Sequence, residues 1–520
     1  MSSVDLARTV VATLLDQGVR HVVLAPGSRN APLALALATA DRAGQLSLHV
    51  RVDERSAGFI ALGLARATGG VVAVVTTSGT AVGNLLPAVM EARHAGVGLL
   101  VLSADRPASM IDSGANQTTR QDRLLGEHAL ACIRVASESG GVADWRAQVA
   151  RAVVLASGAR TRQPGPVQVN VELAAPLVDP QVLVPVEVGP GLQVLSAQPA
   201  GVVVLPAGPR TVVVAGDASA AVGAAAVEFA GQLGAPLLAE PSSNARRGRC
   251  AVAAYRLLLP RFADRIERVV VFGHPTLSRP VTALLSRQDV ELIMVAPGAE
   301  WIDPGHAASR VVDAVRAGAP GPGDWLAEWL AADREVAQGL DADGGLRRAL
   351  TRALWASFGP EDVVVLGSSN PIRDADLAPI AEQGPQVFAN RGLAGIDGTL
   401  STGIGVALGS GRPVTVVVGD LTLLHDVSAL GIGDLERRPD LRVVVLDDHG
   451  GSIFAGLEQG AADYAEHFER VFATPQAVDL AAVAAGFGAG VVQVANPDDL
   501  AQEMARPVHG VEVVHVRLPR

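Results

Sequence analysis

The sequence predicts an α/β protein of three doubly wound parallel-sheet domains, and three observations carry that expectation. Its 520 residues exceed one ordinary domain and match about three at ~150 residues each. The hydrophobic fraction is 49% with only 3% aromatic residues, so the interiors are built of Val, Ala and Leu, as in strands buried between helices on both faces. The order strand, Gly/Pro turn, helix recurs along the chain.

In the first block the strands lie in HVVLAPGSR, LHVRVDE, VVAVVTTSGTA and VGLLVLSADRP, each ending in a polar loop. Ligands of open parallel sheets bind outside the carboxyl ends of the strands. Ser28, Arg29, Asp53, Glu54, Thr77, Ser78, Asp105 and Arg106 are therefore expected along one rim. The block closes near Pro176, and the Pro-rich PLVDPQVLVPVEVGPGLQVLSAQP reads as a crossing linker rather than a packed element. TVVVAGDAS, RVVVFGHPT and VELIMVAPG are the strands of the second block, which ends at AGAPGPGD, residues 317–324. DVVVLGSSN, QVFANRG, PVTVVVGDLT, LRVVVLDDHGG and VEVVHVRL form the third. The domains are expected at 1–180, 181–335 and 336–520. No GxGxxG follows a middle strand, which counts against a nicotinamide dinucleotide site.

A net charge of -11 argues against a nucleic-acid partner, which needs clustered positive charge. No apolar run reaches the ~18 to 20 residues of an integral membrane segment, and the start carries Asp5 and Asp16 without a signal-peptide core. The expected location is cytoplasmic. Cys132 and Cys250 stand at no metal-ligand spacing and are expected as small buried residues, unpaired. All 42 basic residues are arginine. That excludes a Schiff-base lysine and the lysine of a phosphate-binding P-loop, while arginine suits carboxylates. Genome composition is the simplest source of the bias.

PVTVVVGD ends in Gly419 and Asp420, and LRVVVLDDHGG ends in Asp447, Asp448, His449, Gly450 and Gly451, with Asp448 28 residues after Asp420. On neighbouring parallel strands these carboxylates would share one rim and one hard cation. Mg²⁺ is the natural occupant, with Mn²⁺ as the alternative, bound by Asp420, Asp448 and the carbonyl of Gly450; Gly419 would let backbone approach phosphate. The competing reading is a pair of ordinary strand-end turns. In VRVDERSAGFIALGLARATG, Asp53 and Glu54 open a helix of small apolar residues, where both are favoured by the helix dipole. For Asp53 that is the preferred role.

This set resembles the signature of thiamine diphosphate enzymes, Gly-Asp-Gly followed by Asn-Asn, with Leu421 in place of the third glycine and Asp447-Asp448 in place of the asparagines. An extra carboxylate would strengthen cation binding yet repel diphosphate. More specific strings are LAPGSRNAPL, VDERSAGFIALGLA, TSGTAVGNLLPAV, SADRP, GANQTTRQ, SSNPIRD, NRGLAGIDGTLST, and GDLTLLHD with GGSIF. Together they resemble the 2-succinyl-5-enolpyruvyl-6-hydroxy-3-cyclohexene-1-carboxylate synthase family of menaquinone biosynthesis, in which leucine after Gly-Asp is usual.

The resemblance implies three domains of the thiamine diphosphate-dependent decarboxylase type, with thiamine diphosphate and Mg²⁺ as cofactors. It implies 2-oxoglutarate and isochorismate as substrates, joined with loss of CO₂ by 1,4-addition. Glu54 would be the catalytic carboxyl, hydrogen-bonded to the aminopyrimidine N1′. Glu54, Thr77, Ser78, Gly79, Ile396, Gly419, Asp420, Leu421, Gly450, Gly451, Ser452 and Ile453 would hold the cofactor, Ile396 as an apolar wedge. Ser28, Arg29, Arg106, Asn116, Gln117, Ser369, Arg373 and Arg391 would line the substrate site, with Arg279 a weaker addition and Ile453 and Phe454 as its wall. For the apolar three the competing reading is ordinary core, and for the arginines solvated surface. Because the glutamate and the metal motif lie in different blocks, the resemblance implies a homodimer or homotetramer. The alternatives are another thiamine diphosphate-dependent 2-oxo acid decarboxylase, an acetolactate synthase-like enzyme, and a non-catalytic binding or regulatory subunit of the same fold.

Overall fold

The computed structural model describes residues 1–321, 323–342 and 344–519. The chain forms two compact units. Unit 1 comprises Met1–Ala197, Gly392–Arg412 and His425–Leu441, and unit 2 comprises Gln198–Arg391, Pro413–Leu424 and Arg442–Arg520.

Unit 1 is built on β1 (His21–Leu24), β2 (Ser47–Val50), β3 (Val72–Thr76), β4 (Leu99–Asp105), β5 (Cys132–Ala136) and β6 (Pro166–Glu172). Their order is β2-β1-β3-β4-β6-β5, parallel throughout. The four expected strands are present, and β5 and β6 are additions. In β6, PVQVNVE, the interspersed Gln168 and Asn170 resemble a solvated face, yet both are buried. Their amides are satisfied internally, Gln168 Nε2 donating to Ser103 Oγ at 2.9 Å and Asn170 Nδ2 to Asp105 Oδ2 at 2.9 Å. β5 lies at the edge and buries little, so Cys132 is exposed; only Cys250 meets the expectation of a buried cysteine. The order reverses between β1 and β3, which brings residues 25–29 beside 77–79. Gly27 is required there, since a Cβ on it would lie 2.4 Å from Thr77 Cβ.

The Pro-rich stretch is irregular from Val184 to Ala200, as expected of a linker, but it is packed. Val182 and Val186 are buried in the core of unit 1, and Arg8 and Gln45 donate to its carbonyls at Gln181 (2.7 Å) and Val186 (3.0 Å). Spaced valines give even a proline-rich segment enough apolar surface to dock. The helix Glu54–Thr68 opens on Asp53, whose carboxylate accepts from the Arg55 and Ser56 amides at 2.9 and 3.3 Å. Against it lies the helix Thr399–Ser410. The two backbones approach through glycines: a Cβ on Gly63 would stand 2.2 Å from Thr402 O, and one on Gly405 2.2 Å from Ile60 O.

Unit 2 holds β7 (Val202–Leu205), β8 (Thr211–Ala215), β9 (Leu237–Ala239), β10 (Arg268–Phe272), β11 (Glu291–Val295), β12 (Ala308–Val312) and β13 (Ala314–Ala317). The main sheet here runs β12-β11-β10-β8-β9, and β7 pairs with β13. The crevice expected where the order reverses, between β8 and β10, is closed by backbone. Asp217 and His274 exchange amide hydrogen bonds of 3.1 and 2.9 Å, and a Cβ on Gly216 would stand 1.9 Å from Pro275 N. Of the break at 317–324, Pro322 lies outside the described residues.

The last sheet contains β14 (Val363–Leu366), β15 (Gln386–Ala389), β16 (Val414–Gly419), β17 (Leu441–Asp447), β18 (Gly490–Val494) and β19 (Val511–Arg517), ordered β15-β14-β16-β17-β19-β18. By order of appearance this is the topology of the first sheet. β16 and β17 are neighbours, as the metal motif requires.

Two glycine substitutions separate backbone contact from helix propensity. Gly405→Val is expected to lower stability by at least about 2 kcal/mol through overpacking, whereas Gly231→Ala, within Ala220–Leu233 with nothing within 4 Å, should raise it by roughly 0.5 to 1 kcal/mol. Thermal unfolding reads both.

Candidate active site

The loops after β14, β16 and β17 bring three carboxylates and a set of small residues to one rim of unit 2. Asp420 begins the helix Asp420–His425 directly after β16 and is 5% exposed. Its Oδ2 accepts from the Gly450 amide at 2.7 Å. Burial, reinforced by Asp447 and Asp448, pushes its carboxyl up to about 6, against the Leu421 and Gly450 amides, which lower it. Gly450 sits at φ +121°, where a Cβ would stand 2.2 Å from Ala473 O, and the Gly451 amide donates to that carbonyl at 2.6 Å. The turn is thus fixed and the carboxylates are crowded, an arrangement that a hard dication would relieve.

The other two carboxylates have partners. Asp447 lies 2.8 Å from His515 Nε2, whose hydrogen bond holds its carboxyl below the usual range. Asp448 receives Arg347 Nη1 at 2.8 Å and the Ser452 hydroxyl. Arg347 also grips Asp374 at 2.8 Å, and Asn370 Nδ2 donates to Ser452 Oγ at 2.7 Å. Asp448, the expected second cation ligand, is therefore shared with a guanidinium. Ser369 and Gly419 face each other across the β14/β16 reversal, a Cβ on Gly419 falling 3.8 Å from Ser369 Oγ.

Beside this rim stand two arginines. Arg391, following β15, is 4% exposed; its Nη2 donates to Thr276 Oγ1 at 2.8 Å while its Nε is buried without a partner. Arg373 is half-buried and donates to the Ser368 and Ser369 carbonyls at 3.2 and 3.0 Å. Burial, then the charges of Arg391 and Arg256, lower its pKa below the usual guanidinium value. The carboxylates of Asp376 and Asp374 act on Arg373 in the opposite sense. Arg279, by contrast, is exposed at the start of Arg279–Leu285.

Unit 1 gathers its own set at the β1/β3 reversal. Arg106 is 8% exposed; its Nη1 donates to the Ser78 hydroxyl and, at 2.9 Å, to the Gln117 carbonyl. Gln117, at φ 59°, donates through Nε2 to Ser78 O at 2.8 Å, and the Gly79 amide donates to Gln121 Oε1 at 3.2 Å. Arg29 donates to Leu173 O at 2.7 Å, and burial together with Arg106 lowers its pKa. Ser28 and Asn116 are exposed and Thr77 half-buried on the same loops. Glu54 is half-buried, less than a fully buried carboxyl, with Asn84 Nδ2 3.4 Å from its Oε2. Ile396 in unit 1 and Ile453 and Phe454 in unit 2 are each half-buried.

Residues 4–124 match the family model described as thiamine pyrophosphate enzyme, N-terminal TPP binding domain, and residues 375–516 match the C-terminal TPP binding domain. The 2-succinyl-5-enolpyruvyl-6-hydroxy-3-cyclohexene-1-carboxylate synthase of Kineococcus radiotolerans is 50% identical over 99% of this chain and 95% of its own length. Those of Paenarthrobacter aurescens and Nocardioides sp. are each 46% identical over 100% of this chain and 95% and 96% of their own lengths. The chain belongs to this synthase family. It is a thiamine diphosphate-dependent enzyme, and the non-catalytic reading falls away.

Several members of the synthase's crevices carry no local signal. Gln121 is fully buried, its Nε2 donating to Asn170 Oδ1 at 2.8 Å and Ala104 O at 3.1 Å, and it depends on β6 being recognised. Asn370 could have been read from SSNPIRD, whereas Arg347 and Thr276 meet the site only through tertiary packing. Asp426 is likewise unannounced: completely buried, it accepts from the Ser401 amide and hydroxyl at 2.8 and 3.0 Å and so ties the helix Thr399–Ser410 to the 426–430 turn.

Burial pushes the Asp426 carboxyl up to about 7. A folded value above the unfolded one means that its stabilising contribution is complete below pH ~4 and is lost as pH rises through ~7. Asp426→Asn, which preserves the shape, should therefore gain stability relative to wild type between pH 5 and 8.5 in thermal melts. A difference independent of pH would contradict the shifted carboxyl.

Proposed function

We propose that the chain decarboxylates 2-oxoglutarate and adds the resulting succinyl carbanion equivalent to isochorismate, giving 2-succinyl-5-enolpyruvyl-6-hydroxy-3-cyclohexene-1-carboxylate and CO₂ in menaquinone biosynthesis. The observation that carries the substrate class is the set of arginines after the strand ends: Arg391, 4% exposed with its Nε unpartnered, near Arg373, and Arg106, 8% exposed, near Arg29. Both substrates bear two carboxylates, and paired guanidiniums fix such groups in orientation as well as charge. Pyruvate, with one carboxylate, would leave such a pair unmatched.

Bound thiamine diphosphate would supply the carbon nucleophile and the electron sink for loss of CO₂. Mg²⁺, with Mn²⁺ as a substitute, is assigned to Asp420, Asp448 and the Gly450 carbonyl, Arg347 retaining Asp374. Gly419, Leu421, Gly451, Ser452 and Ile453 would hold the diphosphate end, and Thr77, Ser78 and Gly79 the pyrimidine end. Glu54 would hold a proton at the aminopyrimidine N1′, with Asn84 Nδ2 3.4 Å from its Oε2. Ile396 would serve as an apolar wedge for the cofactor, and Ile453 with Phe454 would wall the pocket. Ser28, Asn116, Gln117 and Ser369 orient polar groups of the substrates, with Arg279 at the margin. The boundaries 1–180, 181–335 and 336–520 are our domain assignment. We assign the enzyme to the cytoplasm as a homodimer or homotetramer. No described helix is long and apolar enough to cross a membrane.

The test is loss of isochorismate absorbance in the presence of 2-oxoglutarate, thiamine diphosphate and Mg²⁺. Consumption should require every component, should fail with pyruvate, and should fall by at least about 100-fold in Glu54→Gln. Release of CO₂ from 2-oxoglutarate without isochorismate consumption would overturn the second substrate. Full activity of Glu54→Gln would overturn the role of the glutamate.

A further inference from the structure

The middle sheet of unit 2 has its own strand-end crevice closed by backbone, yet the loops leaving β9 and β10 reach the last sheet. Glu240 directly follows β9. Its backbone is fixed by its amide bond to Ala215 O at 2.9 Å, and its carbonyl accepts the Ser243 hydroxyl at 2.6 Å. Its side chain, 1% exposed, accepts the Leu277 amide at 2.8 Å through Oε1. Leu277 itself is buried in the core of the last sheet with Ile372 and Ala389. One residue earlier, the Thr276 hydroxyl accepts from Arg391 Nη2 at 2.8 Å. The loop is thus fastened at 277 from both sides, and its residue 276 meets the buried arginine.

We infer that Thr276 is a positioning residue, which aims the Arg391 guanidinium at a substrate carboxylate and gives the middle sheet a part in substrate selection; this rests on the reading of Arg391 above. A guanidinium carries five donors in a rigid fork. Committing one of them to a neutral hydroxyl sets the plane of the fork without adding a charge of its own, the nearby Glu240 carboxylate acting on the guanidinium only through space. A carboxylate at 276 would set the plane equally well but would compete with the substrate. The hydroxyl comes from an exposed residue, so the contact orients the guanidinium without burying a second charge. Bidentate pairing depends steeply on this orientation.

Steady-state kinetics with both substrates test the inference in the holoenzyme. Arg391→Ala identifies the substrate whose KM depends on the guanidinium. Thr276→Val should raise the KM of that same substrate about tenfold, as for loss of a hydrogen bond to a charged group. The other KM and kcat should stay within roughly twofold, and Thr276→Ser should restore the value. If Arg391→Ala raises one KM and Thr276→Val raises neither, or raises both alike with a fall in kcat, the positioning role is wrong. If Arg391→Ala itself changes neither KM, the substrate role of Arg391 fails, and the inference fails with it.

Discussion

Like charges held together at the carboxyl ends of parallel strands are the constraint on which the rest of this structure turns. Removing a charge from water without a partner costs several kcal/mol, and this fold sets Asp420 near Asp447 and Asp448, and Arg373 near Arg391. The effect is visible in the carboxyl of Asp420, pushed up to about 6, and in the lowered pKa of Arg373 and Arg29. Asp448 is neutralised meanwhile by Arg347. The dication proposed for this synthase would act chiefly on Asp420, which has no cationic partner among the described hydrogen bonds and ion pairs, and the proposed substrate carboxylates on the buried, unpartnered Nε of Arg391.

Topology places the charges. The first and last sheets share one strand order, and in each the reversal brings two loops beside one another. Gly27 allows that approach in the first, and Gly450 fixes the turn after β17 in the last. The middle sheet has the same kind of reversal but fills it with the Asp217 to His274 bridge. Its contribution is instead the pair of loops that pass Glu240 and Thr276 toward Arg391. A close glycine-mediated helix pair sets the direction of the segment that begins at Glu54.

Much of this was legible in the sequence because the decisive residues are consecutive at strand ends. GDL and DDHGG, APGSR, TSGT and SADRP each announce a strand and the loop that follows it. What was not legible depends on pairing across the chain. β6 escapes notice because its polar residues are satisfied by Ser103, Asp105 and Gln121, which no local pattern links. Cys132 is exposed because β5 is an edge, and the Pro-rich linker docks through Val182 and Val186 despite its irregular backbone. Arg347 reaches Asp448 over 101 positions, so only the folded chain reveals that the second carboxylate is shared.

Thermal unfolding of the chain alone, with Mg²⁺, with thiamine diphosphate, and with both, tests most directly whether the crowded carboxylates await a dication and its diphosphate. Stabilisation should appear with the two together, by about 2.7 kcal/mol at a hundredfold excess over the dissociation constant, and should disappear in Asp420→Asn. Equal stabilisation by thiamine diphosphate without metal, or an undiminished effect in Asp420→Asn, would contradict it.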